Sequence, residues 1–179
     1  MSPRLVRMRR LLDNATASSC MADVVTPAVR SRMMAGIRGK NTKPELVIRK
    51  GLHLQGFRYR LHRRNLPGRP DLVFQKHRAV IFVNGCFWHG HDCPLFKWPT
   101  SRPDFWREKI GQNKVRDARN HGKLSELGWR QLTVWECALK GRNRHPAEDV
   151  ISRCAGWLLT AERDGEVAGN EEGISLGLF

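Results

Sequence analysis

No apolar run in the 179-residue chain approaches the roughly 18 residues that a membrane-spanning helix needs. The basic N-terminus reaches Leu11-Leu12 and then Asp13, too short an apolar stretch for a secretion signal. A cytoplasmic location with no membrane partner is therefore expected. Cysteine is scarce and odd in number: Cys20, Cys86, Cys93, Cys137 and Cys154. Five scattered thiols argue against a disulfide framework. No internal repeat is visible. Acidic residues are the other shortage, with 17 Asp+Glu against 32 Lys+Arg and a net charge of +15. The positive excess is spread along the chain rather than confined to a tail. A polyanion is the natural partner of such a surface, and nucleic acid is the expected one.

What the chain does have is concentrated in residues 67–93, PGRPDLVFQKHRAVIFVNGCFWHGHDC. Asp71 stands at the mouth of one apolar run, Leu72-Val73-Phe74. A second run, Ala79 to Val83, follows a short polar link and leads into Gly85-Cys86-Phe87-Trp88-His89-Gly90-His91-Asp92-Cys93. An acid, imidazoles, thiols and two large rings thus gather at two adjacent strand ends.

The length suits one domain with an adequate core. Met21-Ala22-Asp23 reads as a natural start, so residues 1–20 are expected to be an upstream extension or a disordered basic arm. Thr26-Pro27 opens a short helix to about Gly36. Thr42-Lys43-Pro44-Glu45 has capping-box spacing before a helix that ends at Gly56, and the plain reading of Glu45 is that cap. Residues 57–62 alternate as a half-buried strand. Residues 71–75 and 79–83 form a hairpin. A helix with Phe105, Ile110, Val115, Leu124 and Leu127 runs from Asp104 to about Leu127 and closes at Gly128. Residues 129–136 make another strand, and 147–162 a last amphipathic helix. The Gly- and Glu-rich stretch from 163 to 179 is expected to be a loose tail, leaving 21–162 as the single domain. This order predicts an α/β fold, a small mixed sheet flanked by helices.

Cys86, His91 and Cys93 have metal-ligand chemistry within eight positions, and His89 competes with His91 for the third place. A closed tetrahedral zinc site needs a fourth donor. Cys137 is the best candidate, because it ends a strand that can lie beside 79–83. Zinc with four protein ligands is structural and keeps no water for chemistry. Asp71, after its Pro-Gly-Arg-Pro turn, is suited to Mg²⁺, which prefers oxygen ligands and keeps several waters. On a basic chain that suggests phosphodiester cleavage. Glu45 and Asp117 could assist. An imidazole accepts a proton near neutral pH, which fits His89 to deprotonate the attacking water. The plainer alternatives are a turn acid for Asp71 and a solvent-facing loop residue for His89. Phe87 and Trp88 sit in a tight polar loop that cannot easily bury both rings, and exposed rings on a basic surface suit stacking or wedging in a duplex.

Four segments, PGRPD, VIFVNGCFWHGHDC, FWREKIGQNKVRD and LGWRQLTVWECAL, closely resemble the very-short-patch-repair (Vsr) DNA mismatch endonucleases, over about residues 21–160. The resemblance implies a restriction-endonuclease-like fold, a variant of the PD-(D/E)xK nucleases. It implies nicking 5′ of the T in a T:G mismatch left by deamination of 5-methylcytosine. The implied partners are double-stranded DNA, a functional link to a cytosine-5 DNA methyltransferase, and mismatch-repair proteins. By resemblance, Asp71 and the Val83 carbonyl are the Mg²⁺ ligands, His89 is the general base, and Glu45 and Asp117 are supporting acids. Cys86, His91, Cys93 and Cys137 bind structural zinc, and Phe87, Trp88 and Trp106 insert beside the mismatch. The chain departs from the best-known form at Val83-Asn84, where that form has Thr-His. Asn84 can hydrogen-bond but cannot take up a proton at neutral pH. A monomer is expected, since an asymmetric mismatch has no twofold axis to match. Two alternatives are a zinc-stabilised DNA-binding protein without catalysis and a nuclease of the same fold with another DNA target.

Overall fold

The computed structural model describes residues 39–170, together with 26, 28, 29 and 32. The chain divides into two units, Met1–Gly36 and Ile37–Phe179. In the first, Ala28, Val29 and Arg32 are helical, and the Val29 N–H donates to Thr26 Oγ1 at 3.3 Å. The basic stretch 1–20 and residues 171–179 lie outside the described residues. Among the described residues no helix is long and apolar enough to cross a membrane.

The second unit opens with α1 (Lys43–Leu54). Thr42 Oγ1 accepts the Glu45 N–H at 3.4 Å, as the capping box expects. The reciprocal bond is shifted by one residue: Glu45 Oε2 accepts the N–H of Asn41 at 2.6 Å. The sheet is five strands in the order β1 (Arg60–Leu61), β2 (Leu72–Phe74), β3 (Ala79–Asn84), β4 (Arg130–Trp135), β5 (Asp164–Val167). β1, β2 and β3 pair antiparallel, while β3–β4 and β4–β5 pair parallel. Ala79 to Phe82 are all buried, because helices cover both faces of the sheet. One face packs Leu72, Phe74, Ile81, Leu132 and Val134 against Ile48 and Leu52 of α1 and against α5 (Ala147–Leu159). The other face packs Val73, Val80, Phe82 and Trp129 on Leu124 of α3 (Pro103–Glu126). Two short helices, α2 (Cys86–His89) and α4 (Glu136–Leu139), start where the parallel neighbours β3 and β4 end. The β3–β4 pairing brings the two cysteine-bearing segments to one edge of the unit.

Three expectations need correction. The strand at 57–62 is shorter, with only Arg60–Leu61 in the ladder, though Phe57 and Tyr59 still pack edge-on against Phe74. The apolar face of α3 is only partly used: Ile110 and Leu124 are buried, but Phe105, Val115 and Leu127 are exposed. The stretch from residue 163 does not begin as a loose tail. Asp164–Val167 adds a parallel edge strand, so the expected domain end at 162 falls too early. A Cβ on Gly165 would sit 3.0 Å from Leu132 and 3.1 Å from Trp157, so this glycine marks a close approach rather than a loose chain.

Candidate active site and metal cluster

The site is built where β2 begins and β3 ends. Asp71 Oδ2 accepts the Val83 N–H at 2.8 Å, which ties the acid to the end of β3. Burial pushes the Asp71 carboxyl up to about 6. The Val83 N–H opposes that rise, and the nearby charge of Glu45 adds to it. Nearby positive charge from His89 and Arg49 favours the ionised form.

After β3, Gly85 leads into α2, and Gly90 ends that helix with φ +60. A Cβ there would meet the side chains of Lys114 and Ile110 at 2.5 and 2.7 Å, so only glycine turns this corner comfortably. The turn sorts two histidines that are two residues apart. His89 goes to the Asp71 cavity, and His91 goes to the cysteines. Buried Asn113 of α3 donates to the Trp88 carbonyl at 2.8 Å and holds α2 in place. His89 Nδ1 lies 2.6 Å from Asp117 Oδ2. Burial alone would raise the Asp117 carboxyl, but its bond and charge attraction to His89, with help from Arg116, hold it below the usual carboxylate value. With Nδ1–H donating to Asp117, Nε2 of His89 is left as an acceptor.

Asp71, Val83, Asn84, His89 and Asp117 line one cavity of about 340 Å³. Lys40, Arg69 and Arg116 supply positive charge around it. The structure thus brings together five of the residues expected to do chemistry. Glu45 stands apart: it is 1 % exposed and does not line the cavity. His62 comes between, with Nε2 3.2 Å from Glu45 Oε1 and Nδ1 3.5 Å from Asp71 Oδ1. His62, Lys40, Arg69 and Arg116 are lining residues that the sequence reading missed. The alternation of residues 57–62 ends on His62 and gave a partial signal. The eight residues between His62 and Asp71 left the pairing register open. In the structure Leu61 pairs with Leu72, which puts His62 opposite Asp71.

Cys86, His91, Cys93 and Cys137 offer four donor atoms within 4.8 Å of one another, an arrangement that could hold a metal ion. Cys137 Sγ lies 3.6 Å from His91 Nδ1 and accepts the Gly169 N–H at 3.3 Å. Burial raises the Cys86 and Cys137 thiols, and their crowding with Cys93 adds to this, so without a cation they stay protonated. His91 stacks on Trp135 with centroids 4.1 Å apart, and its Nε2 faces Glu166 Oε1 at 3.5 Å. The carboxylate beyond the ring orients the donor nitrogen. Of the two competing histidines, the structure places His91 with the cysteines and His89 on the wall of the Asp71 cavity.

Phe87, Trp88 and Trp106 form a mutual contact, with centroids 5.1 to 6.0 Å apart. All three are half-buried. Trp88 also lines a second hollow that shares Val83, Asn84 and His89 with the first. The rings therefore stand beside the acid–imidazole cavity.

The model of the DNA mismatch endonuclease Vsr family matches residues 22–95. The chain is 48 % identical over 156 residues to the DNA mismatch endonuclease Vsr of Escherichia coli K12, covering 87 % of this chain and 99 % of that protein. It is 49 % identical over 119 residues to the type II nicking enzyme V.XorIIP of Xanthomonas oryzae, covering 66 % of this chain and 88 % of the relative. It is 45 % identical over 122 residues to the nicking enzyme V.NmeAIP of Neisseria meningitidis serogroup A, covering 68 % of this chain and 87 % of the relative. The five-stranded mixed sheet with flanking helices agrees with the restriction-endonuclease-like fold of that family. With nearly the whole of the Escherichia coli enzyme matched, this chain belongs to the Vsr family of DNA mismatch endonucleases.

Proposed function

We propose that this endonuclease nicks one strand of duplex DNA 5′ of the T in a T:G mismatch, of the kind left by deamination of 5-methylcytosine, through Mg²⁺-dependent hydrolysis. The observation that carries this reading is the convergence of Asp71 and the His89–Asp117 pair in one cation-lined cavity. Asp71 and the Val83 carbonyl would hold Mg²⁺; the strained ionisation of Asp71 fits a bound cation there. Such an ion supplies charge stabilisation at the phosphate and eases deprotonation of water.

The chain's own groups supply the rest. Asp117 fixes His89 with Nδ1–H toward the carboxylate, so Nε2 faces outward as the general base and takes the proton of the attacking water. Lys40, Arg69 and Arg116 hold the phosphate backbone. Asn84 offers a hydrogen bond to the phosphate or its water. Glu45 supports the site from behind, through His62. The Cys86, His91, Cys93 and Cys137 set suits a closed structural Zn²⁺ in number and softness of donors. It would clamp the loop that presents Phe87 and Trp88, which, with Trp106 of α3 packed against them, wedge beside the mismatch. In this reading a monomer acts on cytoplasmic DNA, with a cytosine-5 methyltransferase creating the sites it serves.

The test is an end-labelled duplex with one T:G mismatch, incubated with Mg²⁺ or EDTA beside a T:A control. The expected result is a Mg²⁺-dependent nick 5′ of the mispaired T, reduced at least about a thousandfold in Asp71→Ala. Equal cutting of the T:A control would overturn the mismatch assignment. Binding without nicking in any flanking sequence would favour a non-catalytic binder.

A further inference from the structure

We propose that His62 is a direct donor to the catalytic cation: its Nδ1 coordinates beside Asp71, and Glu45 orients the ring from the far side. The inference rests on the reading of Asp71 as a cation ligand and deepens it. The Glu45, His62 and Asp71 donor atoms lie within 4.8 Å of one another. Their order matters. Glu45 is already engaged on both oxygens: Oε2 takes the Asn41 N–H at 2.6 Å, and Oε1 takes Arg49 Nη1 at 3.1 Å. It is buried and off the cavity wall, whereas His62 and Asp71 both line the wall. Glu45 is therefore placed to hold an imidazole, and His62 to present one.

The ring itself is incompletely served by the protein. His62 Nε2 is fully buried and 3.2 Å from Glu45 Oε1, yet lacks the geometry of a hydrogen bond. Nδ1 stands 3.5 Å from Asp71 Oδ1, close enough for one ion about 2.1 Å from each to touch both. Either neutral tautomer of this ring aims a lone pair toward a carboxylate oxygen. A cation between Nδ1 and Asp71 removes that repulsion and leaves Nε2–H for Glu45, the carboxylate–histidine–metal order found where imidazoles bind metals. The backbone pays attention to this placement too: His62 has φ +45, a left-handed conformation uncommon for a residue with a side chain.

A nitrogen donor changes which ion the site prefers. Mg²⁺ favours oxygen, while imidazole suits transition ions. The site should therefore bind Mn²⁺ more tightly than Mg²⁺. The test uses the zinc-loaded full-length protein and Mn²⁺ as the probe. Electron paramagnetic resonance of free Mn²⁺ gives the Kd, and pulsed measurements on bound Mn²⁺ report a directly coordinated ¹⁴N. The expected result is Mn²⁺ binding lost in Asp71→Ala, with nitrogen coupling in the parent that persists in His89→Ala and disappears in His62→Gln. The Kd for Mn²⁺ should rise on the order of tenfold in His62→Gln and in Glu45→Gln, the latter keeping the coupling. Asp71-dependent binding without nitrogen coupling, or coupling that survives in His62→Gln, overturns the role of His62 and leaves Asp71 a cation ligand. Mn²⁺ binding indifferent to Asp71→Ala overturns both. Should His62→Gln fail to fold, the coupling in His89→Ala still decides: its absence there sinks the proposal.

Discussion

The cysteine cluster and the Asp71 cavity draw on one short stretch of chain, yet they are opposites. The cluster is closed: four donors, three of them sulfur, converge within 4.8 Å, and two are buried. The cavity is open, lined by carboxylate, imidazole and guanidinium groups. A closed soft set leaves no place for substrate and suits a structural ion. An open set of oxygen and nitrogen donors under a positive rim suits phosphate chemistry. Only Gly90 separates His89, which lines the cavity, from His91, which joins the cluster. The contrast shows how one left-handed turn assigns chemically identical side chains to different tasks.

The comparison can be tested from its strongest consequence down. Cys137→Ser should remove bound zinc and lower Tm on the order of 10 °C, because metal binding at such a site is folding free energy. Normal zinc stoichiometry in that variant would exclude Cys137 as a ligand. On the cavity side, Asp117→Asn should slow nicking about a hundredfold, since an amide no longer fixes the His89 tautomer. Zinc content and Tm should hardly move, and a parallel loss of zinc would mean that the two sites are not separable.

A third effect is one of stability and pH. Without a divalent cation, folded Asp71 holds its proton up to about pH 6, above its ordinary value of 3.8. Between those values the folded state binds more protons than the unfolded chain, so stability falls as pH rises. The contribution is whole below about 3.8 and lost through about 6. Asp71→Asn cannot ionise. In zinc-loaded, Mg²⁺-free protein it should be more stable than the parent above pH 6 by roughly 1–3 kcal/mol, with the gap closing toward pH 4. Urea denaturation across pH measures this, and a parent at least as stable at pH 7.5 contradicts it. The smallest change is expected for Trp88→Ala, about a tenfold loss of preference for mismatched over matched duplex. Equal losses on both duplexes would count against wedging.

Much of the frame was legible in the amino-acid order because it is local. The Thr42–Glu45 cap, the apolar runs of β2 and β3 and the Cys86–Cys93 cluster all have their determinants within a few residues. Cys137 was within reach as well, since a cysteine closing a strand needs only that strand to lie beside β3. The resemblance to Vsr enzymes rested on such contiguous blocks. What only the tertiary structure decided depends on register and long-range packing. His62 faces Asp71 because Leu61 pairs with Leu72, and a loop of eight residues does not dictate that pairing. Glu45 is both cap and buried anchor because β1 brings His62 over it. Asp164–Val167 is a strand because β4 offers it a parallel edge and Trp157 leaves room only for glycine. Local propensity and residue chemistry are written along the chain. Which imidazole meets which carboxylate is written in contacts between distant segments, where small differences in packing free energy choose the register.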